Sequence, residues 1–241
     1  MNLTLTYHAI RPAIPLCPTD DPVYSVSRLQ FLAQLARIFE RGDRADQISF
    51  SFDDGNASDL TAAALLKERG FTGTFFICWK NVGRGISKEA IQQLHADGFE
   101  IGAHGMTHRY LTDLSQADLE FEILESKDRL EQLIGYQVNS FAYPGGRFGK
   151  RVMETVAKAG FTSAFTTLPG LNDHSTDSPL ANFRLKRIVV RNTWSMDLFE
   201  QILNQDPKTI KRLATRDRTL FMLKRTLGNN LFDRFRSIVI K

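Results

Sequence analysis

Short runs of β-branched and aromatic residues alternate along the chain with longer stretches in which apolar side chains recur every three or four positions. The short runs predict strands over Leu3–Tyr7, Gln47–Phe52, Gly73–Ile77, Phe99–Gly102, Ser140–Tyr143, Ser163–Thr167 and Lys186–Val190. The longer ones predict helices over Arg28–Glu40, Asp59–Glu68, Lys88–Ala96, Gln116–Ile134 and Lys150–Ala159. Ser or Asp opens several of these helices, and Gly42, Gly70, Gly98, Gly135 and Gly160 follow their ends, where a left-handed cap is wanted. Leu168–Asn182, with its Pro, Gly, Asn and Asp, reads as a long loop. Alternation of this kind predicts an α/β architecture, as a barrel or as a doubly wound sheet; the pattern alone does not separate the two.

The 241 residues, 42% hydrophobic and 24% charged, are enough chain for one large domain or two small ones with a substantial core, and they exclude wholesale disorder. The longest apolar run, around Phe71–Trp79, is broken by Thr and Gly and falls well short of the ~20 residues of a membrane span. The segment Met1-Asn2-Leu3-Thr4-Leu5-Thr6-Tyr7-His8 lacks the basic and then apolar regions of a cleaved signal, and Cys17 and Cys78 form no Cys-x-x-Cys pair. A cytoplasmic location is the expectation. The net charge of +4 divides unevenly, with +8 on residues 208–241 and −4 on the first 207. Basicity thus belongs to a tail, and a nucleic-acid-binding body is not expected.

If the strands are parallel, their C-terminal ends form one rim. Four polar clusters directly follow strands: His8, Asp53-Asp54-Gly55, His104-Gly105-Met106-Thr107-His108 and Tyr143-Pro144-Gly145-Gly146. His104 and His108, four apart, are spaced to reach one metal from a single turn, although two surface or packed histidines fall at that spacing as readily. A carboxylate from a neighbouring strand end, Asp54, would complete a two-His, one-carboxylate set with positions open for water or substrate. Adjacent Asp53 and Asp54 repel unless a cation neutralises one of them. They fit either a helix-capping turn or a division of labour in which one carboxylate holds the cation and the other accepts a proton. In the Pro-Gly-Gly turn, an exposed N–H at Gly145 could donate to a developing oxyanion; a plain tight turn is the alternative.

Together these residues resemble the carbohydrate esterase 4, or NodB-homology, polysaccharide deacetylase family. Ser51-Phe52-Asp53-Asp54-Gly55 is similar to its Thr-Phe-Asp-Asp-Gly motif, His104-Gly105-Met106-Thr107-His108 to its His-[Ser/Thr]-x-x-His motif, and Phe141-Ala142-Tyr143-Pro144-Gly145-Gly146 to its Arg-x-Pro-aromatic-Gly motif. The resemblance covers roughly residues 1–200 and implies a deformed (β/α)7 barrel of the NodB-homology type, with residues 201–241 as a basic helical C-terminal extension. It implies metal-dependent removal of acetyl groups from an N-acetylated glycan or lipid-linked saccharide. Asp53 is then the general base, and Asp54, His104 and His108 hold a divalent metal, with zinc the expected ion. Gly145 is the oxyanion donor, with Tyr143 and Arg147 beside it for substrate. A circularly permuted branch, that of the poly-N-acetylglucosamine deacetylases, opens with a strand ending in Tyr-His, which Tyr7-His8 resembles, making His8 the candidate acid. Ala142 stands where the family commonly has an arginine that pairs with carboxylates; Arg147 or Arg187 could substitute from another direction.

Other functions remain open at this level. One is a carbohydrate-binding protein on the same fold without catalysis, motivated by Ala142. Others are a deacylase or deformylase of another small amide, and a non-haem iron oxygenase, since two His and one carboxylate also describe that site. From Lys208 onward, apolar residues alternate with cations. That face would pack on the barrel or lie against an anionic membrane surface as a peripheral contact.

Overall fold

The computed structural model describes residues 2–11, 21–42, 47–172, 180–220 and 222. Seven parallel strands form one curled sheet in the order β8-β7-β6-β5-β4-β1-β9. They are β1 (Leu3–Tyr7), β4 (Ile48–Asp54), β5 (Thr74–Ile77), β6 (Glu100–Ala103), β7 (Ser140–Ala142), β8 (Ser163–Phe165) and β9 (Ile188–Val189). The two edges meet: Leu185 donates to the Ala164 carbonyl (3.0 Å) and accepts from the Thr166 N–H (2.8 Å), and the Arg187 N–H reaches the Leu168 carbonyl (3.2 Å). This seam curls the sheet into the deformed barrel that the resemblance implied and removes the choice of an open doubly wound sheet.

Helices α1 (Arg28–Phe39), α2 (Asp59–Lys67), α3 (Lys88–Ala96), α4 (Gln116–Ile134), α5 (Lys150–Lys158) and α6 (Met196–Leu203) cover the outside. Serine side chains accept from the third residue onward at the starts of α1, α3, α4 and α6, satisfying N–H groups that the helix itself leaves unpaired. The glycines expected at helix ends all have positive φ. The interior is aromatic: Phe52 stacks on Phe75 at 4.7 Å and on Tyr7 at 5.6 Å, and Tyr7 meets Phe31 of α1 edge-on at 5.0 Å. Each such buried ring contributes roughly 1.5–3 kcal/mol of apolar transfer. The buried Tyr7 hydroxyl donates to Gln34 Oε1 of α1 (2.9 Å), so its burial leaves no orphaned donor.

Elements the sequence pattern did not predict are a two-residue parallel pair, β2 (Ile10–Arg11) with β3 (Val26–Ser27), and helix α6. The two-residue pair is too short to establish a period. The domain boundary expected at residue 200 falls inside α6, whose Phe199, Ile202 and Leu203 are buried in the main core. A further helix over 207–220, α7, docks on the body through Thr209 and Leu213, while Lys208, Lys211, Arg212 and Arg218 face solvent. For this stretch the packing alternative describes the apolar face. The rest of the tail, with Cys17 and His174, lies outside the described residues. Among the described residues, no helix is long and apolar enough to cross a membrane.

Candidate active site

Register brings the polar clusters together. Tyr7 pairs with Phe52, so His8 continues beside Asp53; Asp54 pairs with Ile77, which pairs with Ala103, so His104 follows at the same rim. Strand β4 runs longer than predicted, and Asp53 and Asp54 are its last two residues. Their carbonyls are held by the Asn56 amide (3.2 Å) and the Asn81 amide (2.8 Å), both buried.

Asp54, His104 and His108 offer ligand atoms within 4.8 Å of one another. Asp54 Oδ1 lies 3.5 Å from His104 Nε2 and 3.3 Å from His108 Nε2, yet this buried oxygen accepts no hydrogen bond among the described residues. The His104 Nδ1 sits 2.8 Å from the Ala142 carbonyl. A carbonyl only accepts, so Nδ1 carries a proton, and Nε2 is the ring nitrogen turned toward Asp54. His108 is kept neutral because burial pushes its pKa down to about 4. Burial opposes the charged form of His104 too, but the Asp54 carboxylate beside it and the Asp53 charge outweigh this and raise its pKa. Lone pairs converging on one point in a field that favours positive charge fit a divalent cation. Asp54 (φ 82°) and His108 (φ 62°) have left-handed backbones, and two of the three non-glycine residues so strained among the described residues are therefore in this trio.

Asp53 points into the barrel, where Arg187 clamps it: Nη1 to Oδ1 at 2.6 Å and Nη2 to Oδ2 at 2.8 Å. Arg187 is itself fully buried, with Nε on the Thr166 carbonyl (3.0 Å) and Nη1 also on Ser51 Oγ (3.2 Å). Burial works against the Asp53 charge, but the Arg187 guanidinium, with the neighbouring His104 and His8 charges, holds the carboxyl below its ordinary pKa. The arginine expected to substitute at Ala142 is therefore Arg187. Arg147 is engaged elsewhere, its guanidinium 3.8 Å from the Tyr110 ring and 3.4 Å from Asp113.

The turn after β7 is only partly as expected. Gly145 is exposed with φ 60°, and a Cβ there would lie 2.5 Å from the Tyr110 ring, so only glycine fits. Tyr143, expected to meet substrate, is instead buried with its hydroxyl donating to the Phe183 carbonyl (3.0 Å); it supports the turn from beneath. His8 directly follows β1, at the rim beside the end of β4 that carries Asp53 and Asp54. Trp194 is buried packing, and His95 lies on α3 against Tyr136, away from the rim.

One residue escaped sequence reasoning. Glu122 of α4, 1% exposed, accepts from the Met106 N–H (2.8 Å), the Thr107 N–H (2.9 Å) and the Thr107 hydroxyl. On the other side of the same loop, the Trp79 and Lys80 N–H groups hold the Gly105 and Met106 carbonyls at 3.0 and 2.8 Å. The loop between the two histidines is thus gripped from both sides. The signal was present in the helical period: Leu119, Ile123, Ser126 and Leu130 are the buried stripe of α4, and Glu122 falls on it.

The polysaccharide deacetylase family model matches residues 40–164, a stretch that holds Asp53, Asp54, His104, His108 and Gly145. The chain is 32% identical over 116 residues to a peptidoglycan-N-acetylglucosamine deacetylase of Bacillus cereus, covering 47% of this chain and 53% of that protein. It is 30% identical over 138 residues to a chitooligosaccharide deacetylase of Azorhizobium caulinodans, covering 55% and 62%. The chain spans about half the length of the curated relatives it matches. In fold it is similar to the Streptococcus pyogenes deacetylase PplD, solved with acetate, at a TM-score of 0.70 and 19% identity over 84% of this chain and 96% of that one.

Proposed function

Because this chain belongs to the polysaccharide deacetylase family, we propose that it is a hydrolase removing N-acetyl groups from an amino-sugar glycan, with zinc held by Asp54, His104 and His108. The observation that carries this reading is the buried Asp54 Oδ1, facing two imidazole nitrogens without accepting a hydrogen bond, beside a second carboxylate that an arginine keeps ionised. A cation held there supplies Lewis acidity for the acetyl carbonyl and lowers the pKa of water. Asp53, aligned by Arg187, accepts the proton of the attacking water. The exposed Gly145 N–H donates to the oxygen on which charge develops. His8 gives a proton to the amine nitrogen as the C–N bond breaks, since an amide nitrogen leaves poorly without one. Two relatives named for N-acetylglucosamine in peptidoglycan and for chitooligosaccharide support an N-acetylated sugar as substrate.

The test is acetate release from N-acetylglucosamine oligomers by the zinc-loaded chain. Release that disappears in Asp53→Asn is the expected result. Bound zinc with no acetate from oligomers, peptidoglycan or lipid-linked sugars would reject the activity and leave a binding protein.

A further inference from the structure

The His8 ring is aimed in an unusual way. Its buried Nδ1 has no hydrogen-bond partner among the described residues, so no carboxylate or carbonyl fixes its orientation. What the ring does have is Tyr24, stacked on it at 5.1 Å between centroids and 22° between planes. Tyr24 ends a 3-10 turn, Pro22–Tyr24, and this turn is tied down at three places. The β2–β3 pair and the Val26 N–H on the Ala9 carbonyl (3.0 Å) lay its chain beside that of His8. Asn192, just beyond β9, donates from its backbone to the Val23 carbonyl (3.0 Å) and from its amide to the Pro22 carbonyl (2.9 Å). Arg191 lies with its guanidinium 5.6 Å from the Tyr24 ring centroid, within cation–π range. The buried Arg191 is in turn paired with Asp217 of α7 at 2.8 Å.

We infer that Tyr24 and Arg191 are positioning residues for His8, and that α7, through Asp217, fastens them, so the C-terminal helix is part of the catalytic unit. The inference rests on the reading of His8 as the acid. A stacked ring restricts the imidazole to one plane while leaving its nitrogens free of a competing hydrogen bond, which suits a group that must hand its proton to substrate. None of these three residues lies in the stretch that the family model matches.

The test compares two substrates on the zinc-loaded full chain: an N-acetylglucosamine oligomer, whose amine needs a proton to leave, and an aryl acetate, whose phenolate does not. In His8→Ala and Tyr24→Ala the amide-to-ester ratio of kcat should fall by at least about tenfold, with KM for the oligomer little changed. Tyr24→Phe, which keeps the ring, should restore the ratio, and Asp217→Ala should lower it several-fold. On the metal-free protein, the His8 ring resonance, assigned by its loss in His8→Ala, should move in Tyr24→Ala and stay in Tyr24→Phe. A lowered ratio in His8→Ala with a wild-type ratio in Tyr24→Ala overturns this inference alone. An unchanged ratio in His8→Ala removes the acid assignment and the inference with it. Equal loss on both substrates in Tyr24→Ala, with an unmoved His8 resonance, also overturns it.

Discussion

Arg187 grips both oxygens of Asp53 from across the barrel interior, at 2.6 and 2.8 Å, with neither side chain more than 2% exposed. The pair is bidentate, and two of the other three guanidinium N–H groups go to the Thr166 carbonyl and Ser51 Oγ. Removing the arginine strands a buried carboxylate. Arg187→Met should therefore destabilise the chain by about 3–5 kcal/mol, and Arg187→Lys by a large part of that, because an ammonium cannot make the planar fork. Adding Asp53→Asn to Arg187→Met should recover stability. Urea unfolding of the three variants measures this; a loss below about 1 kcal/mol in Arg187→Met would contradict the buried pair.

The two neighbouring aspartates should separate cleanly. Asp53→Asn keeps the Asp54, His104 and His108 cluster intact and should bind zinc with wild-type affinity while losing most turnover. Asp54→Ala removes one of the three proposed ligands and should lose zinc as well. Isothermal titration with zinc decides it, and equal weakening in both variants would show that the assignment of roles is wrong.

Glu122 makes three hydrogen bonds to the loop between the histidines and is not one of the three grouped residues. Glu122→Ala should weaken zinc binding by about 10–100-fold, as loss of outer support does at metal sites. Glu122→Gln retains an oxygen for the two N–H groups and should recover most of that. Unchanged affinity in Glu122→Ala would mean that the Trp79 and Lys80 contacts hold the loop unaided.

Residues 208–241 carry +8, and on α7 four of the five cations face solvent while the apolar side is used in docking. If the tail brings the enzyme to a lipid-linked sugar, the full chain should co-sediment with anionic vesicles and not with neutral ones. Each cation at the surface contributes about 1 kcal/mol, and the binding should fade with salt. Sedimentation unchanged by truncation after residue 220 would assign any attraction to residues 1–220, α7 included.

Much of the barrel was legible because its strands are short apolar runs and most of its helices carry a regular apolar stripe ended by glycine. Strand β1 and helices α3 and α4 have the bounds that the pattern predicted. The ligand trio was legible because the register of a parallel sheet converts strand-end residues into neighbours. Side chains that act across the interior were harder to see. Arg187 was one of two arginines that could stand in at Ala142, and only its fully buried position against Asp53 separates it from Arg147. Tyr143 misled in the opposite sense: a tyrosine in a rim motif looks available, whereas here the backbone turns at Gly145 and leaves its ring in the core.

The clamp on Asp53 joins residues 134 positions apart, and its arginine comes from the seam that closes the barrel. During synthesis Asp53 emerges long before Arg187, and a lone carboxylate cannot be buried ionised at acceptable cost. Until the last strand docks, β4 must keep its end hydrated. Desolvation of the Asp53 carboxylate and closure of the barrel are then one event, and a non-local one. Any later opening of that seam readmits water to Asp53.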